Sequence, residues 1–226
     1  MISKLKDEYG RITIPGFYDD VLELSEDERE GFKKLPFNYD EYCADLDISA
    51  VNGEFGYTTL ERTWARPALD INGINGGYTG EGAKTVLPSI ASAKISMRLV
   101  PYQNHHDISE KITKYLMSIA PPTVKVKVSP LHGGSPVLVP RDSIGVKAAM
   151  KSLEIAFGVE PVFMREGGSI PIVNVFSVEL NAPTVLMGLG LPGDNIHSPN
   201  ENFAVDNFYG GIRASAIFFD EYAKLV

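Results

Sequence analysis

A chain of 226 residues with 44% hydrophobic and 22% charged side chains has apolar material for one large or two small globular domains, which excludes an intrinsically disordered protein. Its net charge of -8 and pI near 5.0 exclude the basic surface that nucleic acid or an anionic membrane requires, so small soluble partners are expected. Cys43 is the only cysteine, so neither a disulfide framework nor a thiolate-rich zinc site is available; no apolar stretch reaches membrane-spanning length, and a soluble cytoplasmic protein is the expectation.

In chain order, Met1 to Lys6 reads as the last turns of a helix whose earlier turns are absent, and Arg11 to Tyr18, with Pro15 and Gly16, reads as extended. Ser25 and Glu28 have the spacing of a capping box for a short helix before Pro36, and Asn38 caps another through Tyr42. From Leu69 the pattern turns to β. Ala91, Ala93, Ile95, Met97 and Leu99 alternate with Ser92, Lys94, Ser96 and Arg98, which puts Arg98 on the polar face of a half-buried strand.

Asp107 and Glu110 are placed to cap the next helix, in which Ile108, Ile112, Leu116 and Ile119 form an apolar stripe. Val124 to Val128 alternates cleanly with two lysines and predicts a strand. Strand, helix and strand with this patterning predict an α+β layer with one open face. After His132-Gly133-Gly134 the texture changes to longer helices and more apolar strands, and a domain boundary is predicted near residues 133 to 136. Ile144 to Phe157 reads as a helix stopped by Gly158 in the left-handed region. Pro183 to Met187 is an apolar run, and Asp206 is placed to cap a last helix with Phe208, Ile212, Phe219 and Tyr222 on one face.

Four segments carry candidate chemistry. His197 stands in a loop stiffened by Pro192 and Pro199, directly after the run Pro183 to Met187, the position where α/β folds place functional residues. Arg165-Glu166-Gly167-Gly168-Ser169-Ile170-Pro171 sets a guanidinium beside a helix start, which suits a carboxylate or phosphate; a plain capped helix start is an equal reading of the motif alone. His132 precedes a flexible Gly-Gly pair, where an exposed loop histidine is the simpler reading. Gly80 to Pro88 is a Gly-rich loop with Lys84-Thr85, but Ala83 separates glycine from lysine and the phosphate-loop template fails.

Taken together, these segments resemble the C-terminal half of the two-metal amidohydrolase family that includes carnosinase, aminoacylase, acetylornithine deacetylase and succinyl-diaminopimelate desuccinylase, with the dipeptidase branch nearest. The similar text is Gly10 to Asp19, Gly82 to Pro88, Arg98-Leu99-Val100-Pro101, Arg165 to Pro171, and His197-Ser198-Pro199-Asn200-Glu201, in order along essentially the whole chain. The resemblance implies an α/β architecture: a ferredoxin-like α+β lid and dimerisation domain over residues 1–134, and the C-terminal part of an aminopeptidase-like α/β catalytic domain over residues 135–226.

It implies that His197 ligates one metal of a two-zinc centre, and that Arg98 and His132 contact substrate. It further implies that Arg165, Gly168 and Ser169 line the pocket for the substrate's terminal carboxylate, and that Thr85 reaches the active site of the other subunit of a homodimer. The implied substrate is a dipeptide or N-acyl amino acid. The upstream His-x-Asp, the bridging Asp and the Glu-Glu pair of the family have no counterpart here; His105-x-Asp107 has the first motif's letters, but Asp107 is better used as a helix cap. The chain is therefore expected to be a fragment that carries no catalytic residue of its own and holds zinc weakly if at all. The alternative is a non-catalytic dimerisation or binding module derived from the same family.

Overall fold

The computed structural model describes residues 1–165, 170–181 and 183–226. Packing divides them into two units, Met1–Val137 with Met164–Pro171, and Leu138–Phe163 with Ile172–Val226.

In the first unit, three short helices precede the sheet. Helix α1 (Glu26–Lys33) starts at the predicted capping box: Ser25 Oγ accepts the Glu28 N–H, and the Glu28 carboxylate accepts the Ser25 N–H. Helix α2 (Tyr39–Asp45) is capped by Asn38, whose side-chain oxygen accepts from Asp40 and Glu41. Helix α3 (Thr59–Trp64) has its own capping box between Thr58 and Glu61. It packs on α1 through Phe32, which meets Trp64 edge-on at 5.2 Å, and through the Arg29–Glu61 ion pair.

Strands β1 (Ala68–Gly76) and β2 (Ala91–Arg98) form a two-stranded antiparallel sheet in which Ala68 pairs with Arg98 and Gly76 with Ala91, with a register shift between Ile71 and Gly73. Ile95 and Met97 face the core while Lys94, Ser96 and Arg98 stay exposed, as the alternation predicts. Helix α4 (His105–Ser118) lays Ile108, Ile112 and Leu116 onto that sheet, and Leu5, Ile12, Ile14, Phe17 and Leu69 complete the core. Gln103, 2% exposed, ties the layer together: its side chain accepts from the Val100 N–H and donates to the Phe17 carbonyl.

Several local expectations are corrected here. Met1 to Lys6 is not a helix end: Ile2–Lys4 make one 3-10 turn and Lys6 bridges antiparallel to Ile12, because Leu5 must point into the core. Arg11 to Tyr18 is extended only around that bridge, and Pro15-Gly16 then turns the chain, Gly16 at φ 76°. The cap of α4 is Asn104, which accepts from His106 and Asp107; Asp107 sits inside the first turn and pairs with Lys111. Val124 to Val128 keeps its alternation, with Val126 and Val128 half-buried, but joins no ladder. Period-two patterning reports which face is covered, not whether a neighbouring strand supplies hydrogen bonds.

The second unit is helical. Helix α5 (Ile144–Phe157) runs from a Ser143 cap to Gly158, left-handed at φ 73°, as predicted. Helix α6 (Pro171–Glu179) precedes a 3-10 turn at Pro192–Asp194, and α7 (Val205–Ala223) closes the chain. Asp206 is not the cap of α7: Ala204 holds that position without a side-chain bond, and Asp206 contributes only acid to the first turn. No strand occurs among the described residues of this unit, Pro183 to Met187 included.

The face of α7 that is buried is also not the predicted one. Gly210, Gly211 and Ala214 are buried, whereas Phe208, Ile212 and Phe219 are 56%, 53% and 72% exposed. The small residues allow close approach: Gly210 lies under Phe157 of α5 and Gly211 under Leu189. Apolar residues on both faces mark a helix suited to an interior position.

Candidate functional site

The candidates divide between the units. Thr85 stands in the exposed loop between β1 and β2, after Gly82 at φ 80°. In that loop the Tyr78 hydroxyl donates to the Glu81 carbonyl, and Lys84 lies over the Tyr78 ring. Arg98 is the last residue of β2, on the exposed face of the sheet. His132 is exposed in the segment that follows Val128.

That segment is fastened to the start of α4. Ser135 Oγ accepts the backbone N–H of His105 and lies 3.0 Å from its Nδ1, so a side chain thirty positions away meets one of the donors a helix start leaves unpaired. Gly133 is laid against the His105 ring so closely that a Cβ there would come within 2.9 Å of it. Burial and the stacked His106, 3.9 Å away between ring centroids, hold the His105 imidazole below its ordinary pKa and so favour the neutral ring.

Arg165 belongs to the first unit and is 8% exposed. Its Nε and Nη2 donate to the two oxygens of Glu28 at 2.9 and 2.8 Å, and Nη1 donates to the Leu22 carbonyl at 3.2 Å. Burial pushes the Glu28 carboxyl up, but the Ser25 N–H and the Arg165 guanidinium outweigh it and hold the pKa below the carboxylate range. Gly168 and Ser169 lie outside the described residues.

His197 belongs to the second unit, exposed at the tip of a turn. Its backbone is left-handed at φ 63°, and so are Asn195 at 53° and Asn200 at 63°. Such a conformation is uncommon for a residue other than glycine and costs on the order of 1 kcal/mol each. The loop is held by Asp194, 4% exposed, which accepts the Leu191 N–H on its side chain and the Asn202 N–H on its carbonyl. No group of three His, Cys, Asp or Glu side chains placed to hold a metal ion occurs among the described residues. A single imidazole does not make a zinc site, so the donors among the described residues do not by themselves fit a two-metal centre.

Two features escape sequence reading. Glu28 carries only a local capping signal, and its partner stands 137 positions away. Arg66, 5% exposed, receives Glu54 bidentately at 2.9 Å and Glu23 at 3.0 Å, with the Tyr57 ring 4.3 Å beneath it. Burial lowers its pKa, but Glu54 more than offsets that and raises it.

Residues 1–124 match the M20 dimerisation domain family, described as a peptidase dimerisation domain. The chain is 32% identical to the Beta-Ala-His dipeptidase of Homo sapiens, over 100% of this chain and 45% of that protein. It is 30% identical to the Cys-Gly metallodipeptidase DUG1 of Saccharomyces cerevisiae, over 99% of this chain and 47% of that protein. Among solved structures it is similar to the M20 family metallo-carboxypeptidase Sso-CP2 from Sulfolobus solfataricus, with a TM-score of 0.83 and 32% identity over 98% of this chain and 50% of that one. The chain spans about half the length of the curated relatives it matches.

Proposed function

Because the chain belongs to the M20 metallopeptidase family, we propose that it supplies the lid and the C-terminal catalytic portion of a zinc-dependent dipeptidase that cleaves small amide bonds in dipeptides or N-acyl amino acids. Residues 1–134 serve as the lid and dimerisation domain, and residues 135–226 serve the catalytic domain. Arg98 meets the substrate's carboxylate by charge, His132 donates near the scissile carbonyl, and Thr85 reaches across a homodimer to the partner's site. His197 contributes one ligand to a centre whose remaining ligands and general base come from polypeptide beyond this chain. Arg165, Gly168 and Ser169 serve the pocket for the substrate's terminal carboxylate. When bound, the metal pair polarises the amide carbonyl and activates water. A cytoplasmic setting suits the single free, buried Cys43.

The observation that carries this reading is the match over essentially the full chain to about half of the Beta-Ala-His dipeptidase and of the Cys-Gly metallodipeptidase. Large apolar side chains left exposed on α7, Phe208, Ile212 and Phe219, support it independently.

The test measures zinc content and hydrolysis of a dipeptide panel by the purified chain, alone and mixed with a polypeptide corresponding to the other half of the family's catalytic domain. Chelator-sensitive turnover is expected only in the mixture. Stoichiometric zinc and turnover by the chain alone would overturn the fragment reading, and a folded, zinc-loaded mixture without turnover would favour a dimerisation or binding module.

A further inference from the structure

We propose that His105 and Ser135 are positioning residues: they seat the loop that carries His132 against the start of helix α4, and the seat is complete only while the His105 imidazole is neutral, so that delivery of His132 to a substrate follows the ionisation of His105. This rests on the dipeptidase reading for what His132 does, though not for the seat itself.

His132 is followed by Gly133-Gly134, a pair with the most backbone freedom a chain offers, so the place of His132 is decided by what holds the chain around the glycines. Two contacts hold it, and both lead to His105. Ser135 Oγ accepts the His105 backbone N–H at 3.3 Å and lies 3.0 Å from its Nδ1. Gly133 lies against the same ring, where a Cβ would come within 2.9 Å of Cδ2. Its backbone is outside the left-handed region, so close approach to the ring, and not φ, calls for glycine there. His132 is one residue from the first contact and three from the second, and consecutive Cα atoms are only about 3.8 Å apart, so a loop held at both points leaves it a short arc.

The bond to Nδ1 has a direction. Because Ser135 Oγ already accepts the backbone N–H, its own hydrogen is free to donate to an unprotonated Nδ1, with the ring proton on Nε2. Protonation of Nδ1 reverses that bond, and the Ser135 hydrogen must turn away from the ring. It also sets a positive charge at the N-terminus of a 14-residue helix, whose dipole opposes it. Burial and the stacked His106 hold the ring below its ordinary pKa, in keeping with a neutral seat. His106 is the titratable group that faces it from its own helix, and the loop laid against it contributes Gly133 and Ser135, neither of which titrates.

The chain holds four histidines, so each imidazole can be followed by NMR. Amide order parameters at positions 133 and 134 are measured in this chain across the titration of His105, for the natural sequence, Ser135→Ala and His105→Phe, the last keeping a ring without Nδ1. The natural sequence is expected to hold values near about 0.85 above that titration and to fall below about 0.6 beneath it, whereas both variants are mobile throughout. Ser135→Ala is also expected to bring His105 back toward its ordinary pKa. Gly133→Ala should loosen the loop in the natural background and add nothing in His105→Ala. Order that survives in Ser135→Ala and His105→Phe, or that ignores the His105 titration, would overturn the seat.

In the mixture that hydrolyses dipeptides, Ser135→Ala and His105→Phe are expected to lower kcat by about tenfold or more with KM within about twofold, since a displaced donor at the reacting carbonyl is felt in the transition state. Ser135→Thr, which keeps the hydroxyl, should restore kcat. Unchanged kcat in a chain whose loop has become mobile would overturn the positioning role. A mixture without any hydrolysis counts against the dipeptidase reading, and the order parameters still decide the seat.

Discussion

Gly210 of α7 lies directly beneath the ring of Phe157 at the end of α5, so close that a Cβ at 210 would come within 2.5 Å of two ring carbons. In an exposed helix interior Gly→Ala is stabilising by about 0.5–1 kcal/mol. Here the sign reverses. Gly210→Ala is expected to destabilise the second unit by about 1–3 kcal/mol through overpacking, read as a lower urea midpoint at unchanged slope. A stabilised variant would mean that α5 and α7 approach less closely than described.

Arg66 and Glu54 make the most deeply buried ion pair in the first unit, their side chains 4% and 9% exposed. Arg66→Ala should cost about 3–5 kcal/mol, because it leaves the largely buried Glu54 carboxylate without its bidentate partner. Removing both charges with Arg66→Met and Glu54→Gln should recover a large part of that loss. If the double variant were as unstable as the sum of the singles, the two side chains would not be coupled.

Two groups give the first unit an acid-sensitive stability. Glu28 titrates below its unfolded value, so its contribution is fully present above about pH 4.5 and is lost as the pH falls through its lower folded value. His105 is held below its ordinary value of 6.5, so its neutral form stabilises the fold above that pH and the contribution declines as the pH drops through its depressed value. Glu28→Gln should therefore flatten the stability profile below about pH 4.5 and leave the His105 contribution in place. Denaturant unfolding at half-unit pH intervals checks this, and a Glu28→Gln profile parallel to that of the natural sequence would be contrary to it.

On the proposed dipeptidase reading, Arg98→Ala should cost about 1.5–3 kcal/mol of transition-state stabilisation on substrates with a free carboxylate, the scale of a charge-assisted hydrogen bond, and little on carboxamides. His197→Ala should lower the zinc retained per subunit instead. Equal losses on both substrate classes in the arginine variant would remove Arg98 from the carboxylate pocket.

Self-association is expected through the outer side of the dimerisation domain, where α4 and a sheet edge offer a surface that two copies share about a two-fold axis. Lys111, Lys114 and Tyr115 stand on or near that side, with Lys114 paired to Glu110 in the same helix. Sedimentation at several concentrations should show a dimer, and a concentration-independent monomer mass would refute the arrangement.

Local signals were legible wherever one short stretch held both partners of an interaction. Ser25 with Glu28, Asn38, Gly158 and the stripe Ile108, Ile112 and Leu116 each specify a cap, a stop or a face through neighbours within a few residues, and the structure keeps them. Family membership was legible for a related reason, since the motif text is read directly from the chain. Illegible were the features fixed by residues far apart. The small face of α7 was buried in place of its aromatic one because close approach to Phe157 and Leu189 decided the packing.

By itself, then, the sequence determined helices α1, α2, α4, α5 and α7, the Gly158 stop, the alternation of β2 and the candidate residues. Only the tertiary structure decided that Arg165 points to Glu28 and that Gly133 lies on His105. Hydrogen bonds and steric limits between segments 28 to 137 positions apart depend on where the chain returns in space, which no local pattern records.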